Sequence, residues 1–465
     1  MLKKILLSAA LLGAMGGGVS TSAKSLHELQ QEFVDLKFGL FVHFGMGTYL
    51  EEDWANPDVP PQVFNPQKLD CRQWIEAARS ANMKFGCMAV KHHNGFCMWD
   101  TKTTDYNVMN SGIKRDVVKE FTDALHEQGM PVMFHFSMLD LHEKVLPRHI
   151  MPYHKEFLKA QLRELLTGYG PITALMIDGW DAPWARISYE DLPFQEIYDF
   201  IKSIQPDCLV MDLNGAKYPG EALFYSDIKT YEQGAGQKIE KEKSFLPSMA
   251  CYPIQDTWFW KERFPGQPTK SPEAMVNDNL VPMNNVCCTY ILNVAPNRDG
   301  LFDKNACEAL KQIGKMWKDD GVRHEVAECE APIVASNLAK GKYTRGSWSY
   351  DMQIHDLATD DDFSSPWVAK DLPGMNPWLA VELGEEHRVN AVVITDYEDN
   401  GIEEYRIDCR HNGVWTNVFS GSAPTKRRVK IHRFPTVVAD AVLLTIVKAN
   451  GEIAISELGV YNESR

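Results

Sequence analysis

Residues 84–96 read Lys84-Phe85-Gly86-Cys87-Met88-Ala89-Val90-Lys91-His92-His93-Asn94-Gly95-Phe96. A short apolar run of strand length ends abruptly in a lysine, two histidines and an Asn-Gly turn. The same ending recurs along the chain. Lys37–His43 closes on His43, Pro131–Ser137 on His135 and Ser137, and Ile172–Asp178 on Asp178. Further strand candidates are Cys208–Asp212, Leu223–Asp227 and Val286–Val294. Between them lie helical patterns, with apolar residues at helical spacing in Cys71–Asn82, Arg115–Gln128, Tyr153–Thr167, Tyr189–Ile204 and Lys304–Lys318. This alternation is the rhythm of βα units around a parallel sheet. Seven visible strands favour an eight-stranded (β/α)8-like barrel with one strand unread. In such a barrel the carboxyl ends of the strands open onto one mouth, where active sites are built. One polar strand exit is only a strand leaving the core; four successive exits bearing histidine or aspartate point to a shared site.

After Gly321 the helical period disappears. Short alternating runs take over at Trp378–Leu383, Ala391–Thr395, Tyr405–Cys409 and Ala441–Val447, with turn signals at Asp399-Asn400-Gly401, Asn412-Gly413 and Asn450-Gly451. That is the pattern of a β-sandwich, so the expected division is a barrel over 24–330 and a C-terminal β domain over 331–465. The opening Met1-Leu2-Lys3-Lys4, the apolar run after it and the small residues Thr21-Ser22-Ala23 read as a signal peptide over 1–23. The mature chain is therefore expected to be exported, to the periplasm or the cell exterior.

The chain has 465 residues, 44% hydrophobic and 24% charged, a globular composition that excludes disorder, collagen and coiled coil. Its formal charge of −15 repels phosphate backbones and anionic membranes, so nucleic acid is not an expected partner. After the leader, no apolar run reaches the roughly 18 residues of a membrane span, so membrane insertion is not expected either. Ten cysteines occur without a CxxC; Cys87, Cys208, Cys287 and Cys288 sit in apolar runs and are expected as buried free thiols.

Three features carry chemistry. Asp178, in Leu175-Met176-Ile177-Asp178-Gly179, sets a carboxylate at a strand exit, where it can act as a nucleophile or base. His43, His92, His93 and His135 offer imidazoles that can each donate and accept a hydrogen bond, which suits sugar hydroxyls. With an Asp they could also make a zinc or iron site, although no HxH or HExxH spacing is present. Trp54, Trp99, Trp180, Trp184, Trp258 and Trp260 fall in loop-like or strand-end segments, where an indole can stack on a sugar ring.

Four segments together resemble glycoside hydrolase family 29, the α-L-fucosidases: Phe38-Gly39-Leu40-Phe41-Val42-His43-Phe44-Gly45, Lys91-His92-His93-Asn94-Gly95-Phe96, Tyr169-Gly170-Pro171 leading to Asp178-Gly179, and Leu292-Asn293-Val294-Ala295-Pro296-Asn297-Arg298-Asp299-Gly300. The resemblance implies a (β/α)8-like barrel and retaining hydrolysis of a terminal α-L-fucosyl bond, without a cofactor. It implies Asp178 as nucleophile and His43, His92 and His93 as fucose-binding residues. Tyr231-Glu232-Gln233-Gly234 is similar to the Asn-Glu-x-Gly segment of the subgroup that cleaves α-1,3 and α-1,4 fucose from branched glycans, which implies Glu232 as acid/base. Trp258 looks like the aromatic wall beside the sugar.

This sequence departs from the family pattern at Met176, where an aromatic is usual, at Asp53-Trp54 in place of Glu-Trp, and at His135-Phe136-Ser137 in place of a Tyr-rich strand end. Asp53, Trp54 and His135 are thus counted with the substrate-binding set, and Met176 and Asp53 are expected to reshape the pocket. The implied partner is a fucosylated oligosaccharide or glycoconjugate. Open alternatives are another fucose-like sugar, such as α-L-galactose, and a non-catalytic glycan-binding protein. Asn337-Leu338-Ala339 and Ile455–Tyr461 are similar to the edges of a discoidin-like or carbohydrate-binding domain, whose expected role is packing against the barrel, with glycan binding as the alternative.

Overall fold

A computed structural model describes residues 24–181, 187–237, 239, 245–349, 354–370, 374–398, 401–424 and 427–464. The predicted signal peptide and Trp184 lie outside them. Eight parallel strands form the first sheet: β1 (Phe38–Val42), β2 (Phe85–Lys91), β3 (Val132–Ser137), β4 (Ile172–Asp178), β5 (Leu209–Asp212), β6 (Lys229–Glu232), β7 (Ser248–Pro253) and β8 (Cys288–Asn293). They pair in the order β5-β4-β3-β2-β1-β8-β7-β6, so the ring is complete except for a seam between β5 and β6. At that seam the Thr230 hydroxyl donates to the Asp212 carbonyl at 2.5 Å.

Five helices fall where the apolar period predicts them: Cys71–Ser80, Val117–Glu127, Pro152–Gly168, Phe194–Ile204 and Lys304–Met316. Asp70 and Asp116 cap two of them by accepting from backbone N–H groups of the first turn. The predicted strand Leu223–Asp227 is a correction: it does not enter the sheet. Its apolar residues face the link between the domains, with the Tyr225 N–H donating to Ile333 O at 2.7 Å and the Ile333 N–H to Leu223 O at 2.9 Å. The sixth and seventh strands are instead Lys229–Glu232 and Ser248–Pro253, which the sequence reading passed over.

Alternation along the strands splits the core into two layers. Phe41, Cys87, Ala89, Met133, Ala174, Met176, Leu209, Met211, Met249, Cys251 and Ile291 fill the lumen, and Leu29 and Phe33 of the helix Leu26–Asp35 join that cluster. The opposite face of each strand packs under the helices in a larger cluster that includes Leu40, Val42, Val90, Phe134, Leu175 and Ile177. All ten cysteines are free thiols. Of the four expected to be buried, Cys287 is only half-buried, because it sits in the turn before β8 rather than within the strand.

The second domain is antiparallel: β9 (Thr344–Gly346), β10 (Trp367–Ala369), β11 (Trp378–Asp396), β12 (Ile402–His411), β13 (Val414–Ser422), β14 (Val429–Ala449) and β15 (Ile453–Tyr461). The order is β10-β15-β11-β14-β12-β13, with β9 beside β11. The runs Trp378–Leu383 and Ala391–Thr395 are two parts of β11, divided by a register break between Glu382 and His387. The start and end of the domain meet where the Leu338 N–H donates to Val460 O at 2.7 Å.

Candidate active site

Above the lumen's apolar layer the same alternation turns polar. Two residues beyond Phe41, Met133, Met176 and Ile291 come His43, His135, Asp178 and Asn293, and two beyond Thr230 comes Glu232. A cavity of about 260 Å3 opens over this ring, lined by Phe41, His43, Asp53, Trp54, His92, His93, His135, Asp178, Leu213, Glu232, Gly234, Ala235 and Trp258. All nine site residues expected from the sequence face it. Met176 does not, which corrects its expected part in shaping the pocket: it lies one layer below Asp178, fully buried in the lumen. Trp99, Trp180 and Trp260 are also corrections as sugar platforms. All three are buried, and their indoles donate to Glu164, to the Leu192 carbonyl and to Asp303.

Asp178 is gripped from several sides. Its Oδ1 accepts from the Gly179 N–H at 2.6 Å and from Asn214 Nδ2 at 3.1 Å, and its Oδ2 from His135 Nε2 at 3.1 Å. His93 Nε2 stands 3.6 Å from the same Oδ2. Burial pushes this carboxyl upward, but His93, His135 and Asn214 prevail and hold it well below the usual carboxylate range. Gly179 is required here: its φ is +83°, and a Cβ would lie 2.7 Å from the Leu139 backbone nitrogen. Asn214 escaped the sequence reading; the local signal was its place two residues beyond the end of β5. Its own N–H donates to Asp212 Oδ1 at 2.9 Å, and Asp212 Oδ2 accepts from the Tyr189 hydroxyl.

Glu232, the last residue of β6, is tuned the other way. Burial first, and then the Asp178 charge, push its carboxyl up to about 7 against the pull of a hydrogen bond from the Trp258 side chain. Trp258 reaches it because residue 234 is glycine: a Cβ there would come 2.7 Å from Trp258 Cζ2. The backbone N–H of Glu232 donates to Gln237 Oε1 at 2.7 Å.

His43, His92 and His93 are packed as neutral rings. His43 Nδ1 pairs with Asn293 Oδ1 at 2.8 Å, and Asn293 Nδ2 donates to Trp258 O at 2.8 Å. Burial lowers His43 to about 3 and His93 to about 4, and lowers His92 well below its ordinary value. The Ser137 hydroxyl donates to Leu139 O at 2.7 Å and pairs with His93 Nδ1 at 2.7 Å. His135 Nδ1 is buried without a hydrogen-bond partner. Trp54 lies tilted against His93 with ring centroids 4.6 Å apart and is 46% exposed, so it forms the rim. Asp53 Oδ1 accepts from the Phe259 N–H at 3.2 Å. Among the described residues, no three His, Cys, Asp or Glu side chains converge in a way that could hold a metal ion, and no helix is long and apolar enough to cross a membrane.

Two carboxylates of opposite tuning, ringed by imidazoles and aromatic walls, form a site suited to breaking a glycosidic bond. Comparison with known proteins agrees. The alpha-L-fucosidase family pattern matches residues 53–322 and the F5/8 type C domain pattern residues 335–458. Alpha-L-fucosidase 1 of Arabidopsis thaliana is 26% identical over 453 residues, covering 91% of this chain and 84% of that relative. Putative alpha-L-fucosidase 1 of Oryza sativa subsp. japonica is 23% identical over 462 residues, covering 95% and 85%. The solved alpha-L-fucosidase isoenzyme 1 from Paenibacillus thiaminolyticus superposes with a TM-score of 0.54 at 21% identity, covering 91% of this chain and all of that one, which bears on the fold. Since the first pattern takes in more than half of the sequence, the chain belongs to the alpha-L-fucosidases, glycoside hydrolase family 29, with an F5/8 type C (discoidin) domain behind its barrel.

Proposed function

We propose that this enzyme is a retaining exo-α-L-fucosidase that removes terminal α-1,3- or α-1,4-linked L-fucose from oligosaccharides or glycoconjugates, with Asp178 as nucleophile and Glu232 as acid/base. The observation that carries this reading is the divergence of two carboxyls facing one cavity, Asp178 held ionised and Glu232 held protonated up to about 7.

In the first step Asp178 attacks the anomeric carbon while the bond to the leaving oxygen breaks, and the Glu232 proton passes to that oxygen. Oδ1 takes two amide hydrogens and Oδ2 one imidazole hydrogen, which leaves Oδ2 the freer oxygen for attack. In the second step Glu232, now ionised, takes a proton from water as the water attacks the same carbon, and the Asp178 carboxylate departs. His93 lies beside the nucleophile, with Nε2 3.6 Å from Asp178 Oδ2, where its ring can hydrogen-bond a sugar hydroxyl. His43, His92 and the Trp258 face bound the same ring, with Asp53 and Trp54 at the rim.

The linkage preference is supported by Glu232 lying in Tyr231-Glu232-Gln233-Gly234 at the tip of β6. Proton NMR during hydrolysis of an aryl α-L-fucoside and of a branched α-1,3/1,4-fucosylated oligosaccharide tests both parts. α-L-fucose as the first-formed anomer is expected from both substrates; first-formed β-L-fucose would overturn the retaining mechanism, and an inert branched substrate would overturn the linkage. The leader read in residues 1–23 supports action in the periplasm or outside the cell, which fractionation of the producing organism checks.

A further inference from the structure

Outside the barrel, at the seam between β5 and β6, lies a second cavity of about 510 Å3, roughly twice the volume of the catalytic one. Both domains build it. The barrel contributes 216–221 with Lys229 and Tyr231 of β6, and the C-terminal domain contributes 361–364 and Arg428. Tyr231 and Glu232 are successive residues of one strand and point to opposite sides of it, so the two cavities stand back to back across β6.

The walls are balanced in charge, with Lys217, Lys229 and Arg428 against Glu221, Asp361 and Asp362. Lys217 is bound between Asp181 and Asp361, the latter at 2.8 Å. Lys229 is buried, with Nζ donating to Gly215 O at 2.7 Å and Tyr218 O at 2.8 Å. Glu221 Oε2 is buried and accepts no hydrogen bond, an acceptor lacking a donor. Aromatic surface is fixed beside these groups: Tyr218 stacks on Phe224 at 5.0 Å, and Phe363 meets Tyr218 edge-on at 5.5 Å.

An anionic ligand would face three carboxylates, and a cationic one three bases. A purely apolar ligand would desolvate the charged side chains of these walls without offering any of them a hydrogen bond. A neutral polyhydroxylated molecule can donate to the acids, accept from the bases and lay its apolar face on the rings. The volume gives the length: if the catalytic cavity takes one fucosyl ring, as in the function proposed above, twice that volume takes two rings. We propose that this interdomain cavity is a second, non-catalytic carbohydrate site that takes a neutral disaccharide, the class of sugar left when a branched glycan loses its fucose.

Gly220 gives a clean probe, because a Cβ there meets nothing within 4 Å and its φ lies outside the left-handed region. Gly220→Tyr should therefore fill the cavity without straining the backbone. Titration calorimetry of the whole chain with N-acetyllactosamine, under saturating L-fucose to occupy the catalytic cavity, is expected to show one site. Binding should weaken at least tenfold in Gly220→Tyr and in Glu221→Ala, while aryl α-L-fucoside hydrolysis stays within twofold of the parent. The proposal is overturned if the parent does not bind the disaccharide at millimolar concentration, if fucose displaces it, if both variants bind as the parent does, or if inorganic phosphate competes for the site. Loss of the fucosidase reading would show separately, as absent hydrolysis in the parent.

Discussion

Replacing Glu232 by glutamine tests the acid/base assignment through its magnitude. The carboxyl is moved from 4.5 to about 7, and one pKa unit corresponds to about 1.4 kcal/mol, so its surroundings favour the protonated form by about 3 kcal/mol. A raised carboxyl keeps its proton below the folded value and loses it above. With a poor leaving group, kcat/KM should hold up to about pH 7 and then fall about tenfold per pH unit. Left at 4.5, the same group would be protonated in only about one molecule in 300 at neutral pH. Glu232→Gln should lower the rate on 4-methoxyphenyl α-L-fucoside by about 10²–10⁴ and abolish that alkaline limb. It should cost far less with a 2,4-dinitrophenyl leaving group, which departs without a proton. Stopped-flow and steady-state kinetics on both glycosides, from acid to alkaline pH, read all of these effects. An alkaline limb that persists near 7 in Glu232→Gln, or an equal loss on both glycosides, would refute the reasoning and send the search for the acid elsewhere in the cavity.

Asn214→Ala removes an amide that donates to Asp178 Oδ1 at 3.1 Å, and a hydrogen bond to a charged group is worth about 1.5–3 kcal/mol. We expect kcat to fall by one to two orders of magnitude with KM nearly unchanged, as measured on an aryl fucoside. Trp258→Phe removes a hydrogen bond that lowers the Glu232 carboxyl, so the alkaline limb of kcat/KM should move upward. His43 and His93 titrate near 3 and 4 in the fold, against 6.5 when unfolded, so the unfolded chain binds more protons between those values. The stability contributed by each neutral ring is full above 6.5 and lost as pH falls toward 4, at about 1.4 kcal/mol per pH unit, and His43→Asn should reduce the slope of the urea midpoint against pH. Dialysis against EDTA should leave kcat/KM unchanged, since both proposed steps run on two carboxyl groups.

Legibility followed from which signals are local. β1 to β4 were readable because each is an uninterrupted apolar run ending in a polar residue, and that ending also named His43, His92, His93, His135 and Asp178. β6 was not, because Lys229, Thr230 and Glu232 give a four-residue strand almost no apolar signature; Lys229 is buried only because two carbonyls from 215–218 receive its ammonium. Leu223–Asp227 carried the apolar signature instead, but its partner is a segment more than a hundred residues later, at Ile333, and local pattern cannot report that. Asn214 was hidden for the same reason: an asparagine after a strand is ordinary loop chemistry until β5 is set beside β4, with Ile177 opposite Asp212.

That pairing also explains how the two domains meet at the site. Asp212, fully buried at the end of β5, holds the Asn214 backbone with one oxygen and the Tyr189 hydroxyl with the other. Tyr189 stacks on Tyr225 with centroids 3.8 Å apart, the Tyr225 hydroxyl donates to Ala335 O at 3.0 Å, and Ser336 Oγ donates to Tyr189 O at 3.0 Å. The segment entering the C-terminal domain therefore braces the aromatic pair beneath Asp212, and Asp212 fixes the loop whose amide reaches Asp178. A β/α ring closed on all sides would place the next strand there. This chain leaves the seam open and packs the 223–228 segment and the interdomain link beside it, so the packing that joins the second domain to the barrel also orients a hydrogen-bond donor to Asp178, the proposed nucleophile.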